Sequence, residues 1–383
     1  MAQLTAAQLA QLNFQARQAV LGSAVEMTQQ IYSTTVAAPA TSGSILNIPP
    51  RNVGLIKGFL VEVTGTATNT GSTTAATLTE LNLANVLSQI VFTDLNNNVR
   101  INTTGWHIDI VNTAKQRGVW GAAYTTDSPI KYGSNWNVIA ATNSIPATSD
   151  NVLPFYMMYW IPLAYSDDDL RGSVYANVVN ATMNLQLTIN TSPFAASGDS
   201  TLAVYKSNTG TFTNVTVTVY QVYLDQLPVG NQGVILPLQD LSTIYELKNT
   251  TLQGIVTAQD FPVPYANFRT FLSTVAIYDN GGTLGTGSDV NYWALQSANF
   301  TNIWKIDPFL AALKSRLIFG DDPPKGVYYF DHRRQPINTI QYGNMELILN
   351  AAGTVNAGAV LLMGFEDFAI INAVSQAGSL PAS

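Results

Sequence analysis

Tyr156-Met157-Met158-Tyr159-Trp160-Ile161-Pro162 runs through a polar loop into Met183-Asn184-Leu185-Gln186-Leu187-Thr188-Ile189-Asn190, and the second half of the chain repeats that order. There, Val327-Tyr328-Tyr329-Phe330 leads through a charged turn into Met345-Glu346-Leu347-Ile348-Leu349-Asn350. Each aromatic run also follows a short helical pattern, first from Trp106 to Gln116 and then from Asp307 to Phe319. Asp307 is a good N-cap with Pro308 at the first helical position, and Leu310, Leu313 and Leu317 form an apolar stripe. A unit built twice predicts two β-rich barrels or sandwiches in tandem.

Period-two alternation recurs on both sides of these runs. Phe59, Val61 and Val63 share one face of Asn52–Thr64, where Gly58 permits a bend or bulge. Val215, Val217 and Val219 stand opposite Thr216, Thr218 and Tyr220. Such strands put one face on a core and one outward. Leu87–Phe92 reads as a strand followed by the turn Asp94-Leu95-Asn96-Asn97-Asn98, because Asn and Asp tolerate left-handed backbone. Further strands are expected at 241–247, 271–278 and 360–365, with a turn at Asp279-Asn280-Gly281-Gly282. Many short strands between Gly- and Pro-marked turns suggest an all-β sandwich or jelly roll.

The pattern breaks at Asp225-Gln226-Leu227-Pro228-Val229-Gly230, which places a linker at 225–239. Around it the expected organisation is an N-terminal helix and connector over 1–29, a first barrel over 30–224, a second over 240–372 and a tail over 373–383. Residues 37–50, rich in Ala, Pro, Ser and Thr, read as a connector. The helix is expected over 4–21: Thr5 and Gln8 have capping-box spacing, and Leu9, Leu12, Ala16, Ala19 and Val20 fall near one face. Arg17 is the only charged residue before Gly22, so this weakly polar helix suits docking on a neighbour or a lipid surface; packing on its own domain is the alternative.

In 383 residues only 11% are charged, which leaves much of the surface to Thr, Ser, Asn and Gln or to subunit contacts. The net charge of −7 opposes a nucleic-acid role without a concentrated basic patch. The span Lys305–Arg334 carries Lys305, Lys314, Arg316, Lys325, Arg333 and Arg334, but also Asp307, Asp321, Asp322 and Asp331. It reads as a solvated or intersubunit surface. With no cysteine there are neither disulfides nor thiolate metal sites. No apolar run reaches a membrane span, and the start lacks the pattern of a secretory signal.

Catalytic constellations are sparse. His107 and His332 occupy comparable places in the two halves without a partner at metal-ligand spacing, which marks them as structural or surface residues rather than catalytic ones. Neither a G-x-S-x-G elbow, a P-loop nor an H-E-x-x-H motif occurs. Asp167-Asp168-Asp169 could supply oxygen ligands to a hard cation, although solvated loop acids, or a cap for the segment from Leu170, explain it more simply. The expectation is a protein that is no enzyme, with neither cofactor nor metal. A carbohydrate-binding jelly-roll spike or receptor-binding module is the alternative to a structural role.

Several stretches carry a resemblance: Asn52–Val61, Gly105-Trp106-His107 with Val111–Gln116, Thr126–Gly133, Trp160–Leu170, Tyr223–Gly230, Ile235–Tyr245, Asp279–Gly282, Lys325–Tyr329, Gln341–Asn344 and Leu361–Gly364. In order and in both halves, they resemble the major capsid proteins of tectiviruses, tailless icosahedral bacteriophages with an internal membrane. The resemblance implies a double jelly roll of two eight-stranded barrels with short helices in loops. It also implies a homotrimer whose six lobes fill a nearly hexagonal lattice site, with neighbouring capsomers, minor capsid and vertex proteins and the inner viral membrane as partners, and no direct nucleic acid. The implied location is the virion, assembled in the host bacterial cytoplasm. The N-terminal helix would lie at the capsomer base, with Leu4, Leu9, Leu12, Phe14, Arg17 and Val20 as membrane or neighbouring-capsomer contacts. The unequal lengths of the halves make the sixfold character approximate.

Overall fold

The computed structural model describes residues 5–71, 75–115, 145, 152–176, 182–195, 202–206, 208–231, 233–298, 300–320 and 323–370. Leu4, the Thr126–Gly133 motif and the 373–383 tail lie outside them. Sixteen principal strands form two sets of eight. The first set is β1 (Val25–Val36), β2 (Ile45–Ile48), β3 (Leu55–Asn69), β4 (Leu87–Thr93), β5 (Val99–Thr103), β6 (Val152–Pro162), β7 (Asn184–Ile189) and β8 (Gly210–Asp225). The second is β9 (Thr243–Gln253), β10 (Asp260–Pro264), β11 (Arg269–Asp279), β12 (Val290–Ser297), β13 (Phe300–Ile306), β14 (Val327–Asp331), β15 (Met345–Ala351) and β16 (Val360–Ile370).

Each set folds into two facing sheets with jelly-roll order. In the first barrel these are β1-β8-β3-β6 and β2-β7-β4-β5; in the second, β9-β16-β11-β14 and β10-β15-β12-β13. One of the first barrel's sheets is continuous with one of the second's. The edge strand β5 pairs in parallel with β9, Ile101 beside Leu247 and Asn102 beside Lys248. Every other principal ladder is antiparallel.

The alternating residues fill the interiors. Phe59, Val61, Val63, Val215, Val217, Val219, Leu185 and Leu187 are buried in the first barrel; Ala276, Tyr278, Trp293, Leu347, Leu349 and Met363 are buried in the second. Each buried Val, Leu, Phe or Met among them contributes about 1.5–3 kcal/mol through removal from water. The odd-numbered neighbours Val275, Ile277 and Tyr329 and their companion Leu362 point out of the second barrel, yet they are also buried, in one cluster with the first barrel's core. The two barrels therefore share a packed joint.

The expected bend near Gly58 is a bulge that skips Lys57 as β3 pairs with β8. Glycine is required there because a Cβ would lie 2.5 Å from the carbonyl oxygen of Ile161 and 2.8 Å from the Trp160 ring. Two segments differ from their sequence reading. Residues 37–50 contain β2, a four-residue strand in which Leu46 and Ile48 are buried and Ile45 and Asn47 exposed. Residues 25–29, read as connector, already belong to β1, most of whose side chains are at least partly exposed, so it shows little apolar alternation. The 225–239 linker holds a two-residue hairpin pairing Val229 with Val234, followed by a one-turn helix at Leu238–Leu241.

Candidate assembly interface

Three helices sit where the barrels meet each other or the outside. Helix α1 (Ala6–Ser23) starts at the anticipated capping box: the Gln8 amide donates to Thr5 Oγ1, and the Thr5 amide donates to Gln8 Oε1. Helices α2 (Gly105–Lys115) and α3 (Pro308–Phe319) each follow the outer strand of a sheet, β5 and β13. Asp307 caps α3 by accepting from the Leu310 amide at 2.8 Å, and Gly320 ends it in the left-handed conformation.

The six residues proposed for contacts along α1 separate. Arg17 turns back onto the chain, its Nε and Nη2 each 2.6 Å from the carboxylate of Asp240 in the linker helix. Asn13 adds a hydrogen bond to the same carboxylate at 2.8 Å and accepts from the Gln239 amide. Val20 is buried with Leu55, Leu170 and Leu224. These two residues are engaged within the subunit, because a buried carboxylate draws the one cation of the helix and the apolar end of α1 packs into that cluster. Leu9, Leu12 and Phe14 are exposed. Leu4 is outside the described residues.

At the joint, Lys115 of α2 reaches the second barrel. Its Nζ is 2.7 Å from Glu366 Oε1 and donates to Tyr245 Oη at 2.8 Å and to the Tyr165 carbonyl at 3.1 Å. Glu366 also accepts from Tyr245 Oη and Ser273 Oγ. Burial works against the Glu366 carboxylate, but Lys115 and the two hydroxyls outweigh it and hold its pKa below the ordinary value. Beside it, Glu246 and Asp367 stand directly opposite across β9 and β16, both contacting Arg269. Burial raises Asp367 to about 6 despite Arg269.

Two members of the acidic triplet, Asp167 and Asp169, are drawn into ion pairs. Asp167 lies 2.7 Å from Lys57 Nζ, which also meets Glu26 at 2.6 Å, and Asp169 pairs with Arg171 at 2.5 Å. Burial lowers the Lys57 pKa, yet hydrogen bonding to Asp167 and Glu26 leaves it above the ordinary value. Among the described residues no group of three or more His, Asp or Glu side chains is arranged to hold a metal ion. His107 and His332 are buried, His107 completely; Nδ1 of His107 is 2.7 Å from Thr103 Oγ1, and its ring lies against Gly364 of β16. In the Lys305–Arg334 span, Arg333 pairs with Asp331, and Lys305 stacks over the Tyr292 ring.

None of the tie residues Lys115, Glu366, Arg17 and Asp240 was legible as a pair, since each joins distant elements. What these surfaces offer is packing: a two-lobed body with apolar and polar faces directed outward.

Comparison with known proteins places that body. Residues 1–227 match the family model described as P3 major capsid protein N-terminal, and residues 242–381 match P3 major capsid protein C-terminal. Major capsid protein P3 of Enterobacteria phage PRD1 is 44% identical over 392 residues, covering 99% of this chain and 98% of that protein. The crystal structure of the major capsid protein of Sulfolobus turreted icosahedral virus superposes with a TM-score of 0.65 at 12% identity, over 93% of this chain and 100% of that one. A quasi-atomic model of the PBCV-1 virus capsid gives 0.51 at 11% identity, over 90% and 94%. Those two likenesses show the double jelly-roll fold; with the sequence matches along both halves, they make this chain a member of the P3 major capsid protein family.

Proposed function

We propose that three copies of this capsid subunit close into a six-lobed capsomer, and that these capsomers tile an icosahedral shell around an internal membrane. The observation that carries the reading is the joint between the barrels. A continuous sheet through β5 and β9, the shared core and the Lys115–Glu366 pair make each chain one two-lobed body, so a threefold ring of chains presents six similar lobes. On this reading the 225–239 linker separates the barrels, minor capsid and vertex proteins meet the capsomer at its edges, and assembly takes place in the host bacterial cytoplasm. The exposed Leu9, Leu12 and Phe14 of α1 supply the contact with a neighbouring capsomer or the membrane.

Size-exclusion chromatography with light scattering tests the trimer. The expected mass is three times that of the 41.2 kDa chain. A single-chain mass at micromolar concentration overturns it. The carbohydrate-binding alternative gains no support from the related proteins.

A further inference from the structure

The two barrels can be overlaid strand for strand, and their registers agree. Strands β4 and β5 pair Ile90 with Thr103, Val91 with Asn102 and Phe92 with Ile101. Strands β12 and β13 pair Trp293 with Ile306, Ala294 with Lys305 and Leu295 with Trp304. One constant shift in numbering relates all these pairs, and it continues into the helices. There Asn112 of α2 donates to the Trp160 carbonyl of β6, while Ser315 of α3 accepts from the Tyr329 amide of β14. The correspondence extends to β3 with β8 and β11 with β16, including a bulge that skips Lys57 in one and Leu272 in the other.

This correspondence pairs a satisfied edge with bare ones. The outer side of β5 is occupied by β9. The counterpart of β5 is β13, and the counterpart of β9 is β1. Among the described residues β13 pairs only with β12, and β1 only with β8. Each presents a row of backbone donors and acceptors of the kind that recruits another strand.

The side chains tell the same story. Trp106, His107, Ile110 and Ala114 of α2 are buried. Their counterparts in α3 are Phe309, Leu310, Leu313 and Leu317, all apolar and 77%, 37%, 40% and 62% exposed. Val275, Ile277, Tyr329 and Leu362, buried on the outer face of the second barrel, correspond to Leu60, Glu62, Trp160 and Thr218 on the first, which are only half-buried. The Lys115–Glu366 ion pair corresponds to Ile318 and Val222, so both charges are replaced together by apolar side chains. Replacing only one would leave a buried charge unpaired.

We propose that the joint inside the chain is repeated between copies. Strand β13 of one copy adds in parallel to β1 of the next, placing Trp304 beside the partner subunit's Thr28 and Lys305 beside the partner subunit's Gln29. Helix α3 seats its apolar stripe on the outer face of the neighbouring first barrel. The contact is head-to-tail, and in a ring of three copies each chain contributes one internal and one external step of this kind. The inference rests on the trimer reading and names its interface.

Because the chain lacks cysteine, introduced pairs report single contacts. Gln29→Cys with Lys305→Cys probes the contact between copies, where opposed parallel strands bring Cα atoms to about 5 Å, within disulfide range. Asn102→Cys with Lys248→Cys, residues already opposed within one chain, is the internal standard. After mild oxidation, non-reducing electrophoresis should show covalent dimers and trimers from the first variant and a single-chain band from the second. If light scattering shows trimers and the standard closes, yet Gln29→Cys/Lys305→Cys gives no bond between chains, the strand pairing is overturned and the trimer stands. Absence of wild-type trimers overturns both. Leu317→Asp, at a position exposed in the isolated subunit, gives a second reading that does not depend on a disulfide. It should convert trimers to folded monomers with unchanged circular dichroism, and a trimer of undiminished stability counts against the seating of α3.

Discussion

Nζ of Lys115 stands 2.7 Å from Oε1 of Glu366, tying the helix of the first barrel to the last strand of the second. Glu366 is fully buried, so loss of its cation leaves a charge in a poorly solvating interior. Lys115→Met should destabilise the subunit by about 3–5 kcal/mol. Lys115→Met with Glu366→Gln should recover much of that, since the amide oxygen still accepts from Tyr245 or Ser273 and no charge remains. Calorimetric melting of the three proteins at one pH tests the order; a double variant no better than the single one refutes the electrostatic account.

Arg17 and Asp240 fasten α1 to the linker helix rather than to either barrel core. Arg17→Ala should therefore release the helix locally. The expected result is faster proteolysis ahead of Val25 with barrel melting nearly unchanged. Removal of residues 1–20 should likewise leave the trimer intact while impairing shell assembly or membrane association. Loss of the trimer on truncation would show that α1 belongs to the capsomer interface instead of its base.

The residues that were readable from sequence alone are those whose partners are local or periodic. Val215, Val217 and Val219 announce a strand because successive side chains alternate between core and outside. Asp307-Pro308 and Thr5 with Gln8 announce helix starts because a cap acts within one turn. Strand β1 gave no such signal: its neighbours cover little of it, so selection for an apolar face is weak in Glu26, Thr28, Gln29 and Gln30. Arg17 looked like a contact residue because its partner Asp240 lies beyond the whole first barrel. Long-range ion pairs leave no periodic trace, and the burial of both faces of β11 over Phe271–Asp279 was not legible either, because a strand covered on both sides does not alternate.

His107 and His332 are held by burial at a pKa of about 4, well below the ordinary 6.5. The unfolded chain binds their protons first as pH falls. Their stabilising contribution is therefore complete above pH 6.5 and is lost as pH drops toward 4, by up to about 3 kcal/mol for each ring. Carbon-13 signals of the two rings should stay in the neutral form down to pH 5. Titration near 6.5 in the folded subunit would contradict the burial that causes the shift.

Asp367 works in the opposite direction. It faces Glu246 across β9 and β16, and burial lifts its pKa from 3.8 to about 6 even with Arg269 2.9 Å away. Between those values the folded subunit binds the proton more tightly than the unfolded chain. This contribution is thus greatest below pH 3.8 and disappears as pH rises through 6. At pH 8 the ionised carboxylate is a cost that a neutral amide of the same shape avoids. Asp367→Asn should stabilise the subunit by about 1–3 kcal/mol at pH 8. The gain should shrink toward zero by pH 4.5, where the native aspartate already carries its proton. Melting curves of both proteins at the two pH values decide the matter. A variant that melts lower at pH 8 would mean that the charged hydrogen bond to Arg269 outweighs burial and repulsion from Glu366, and that the joint is built on a fully ionised cluster.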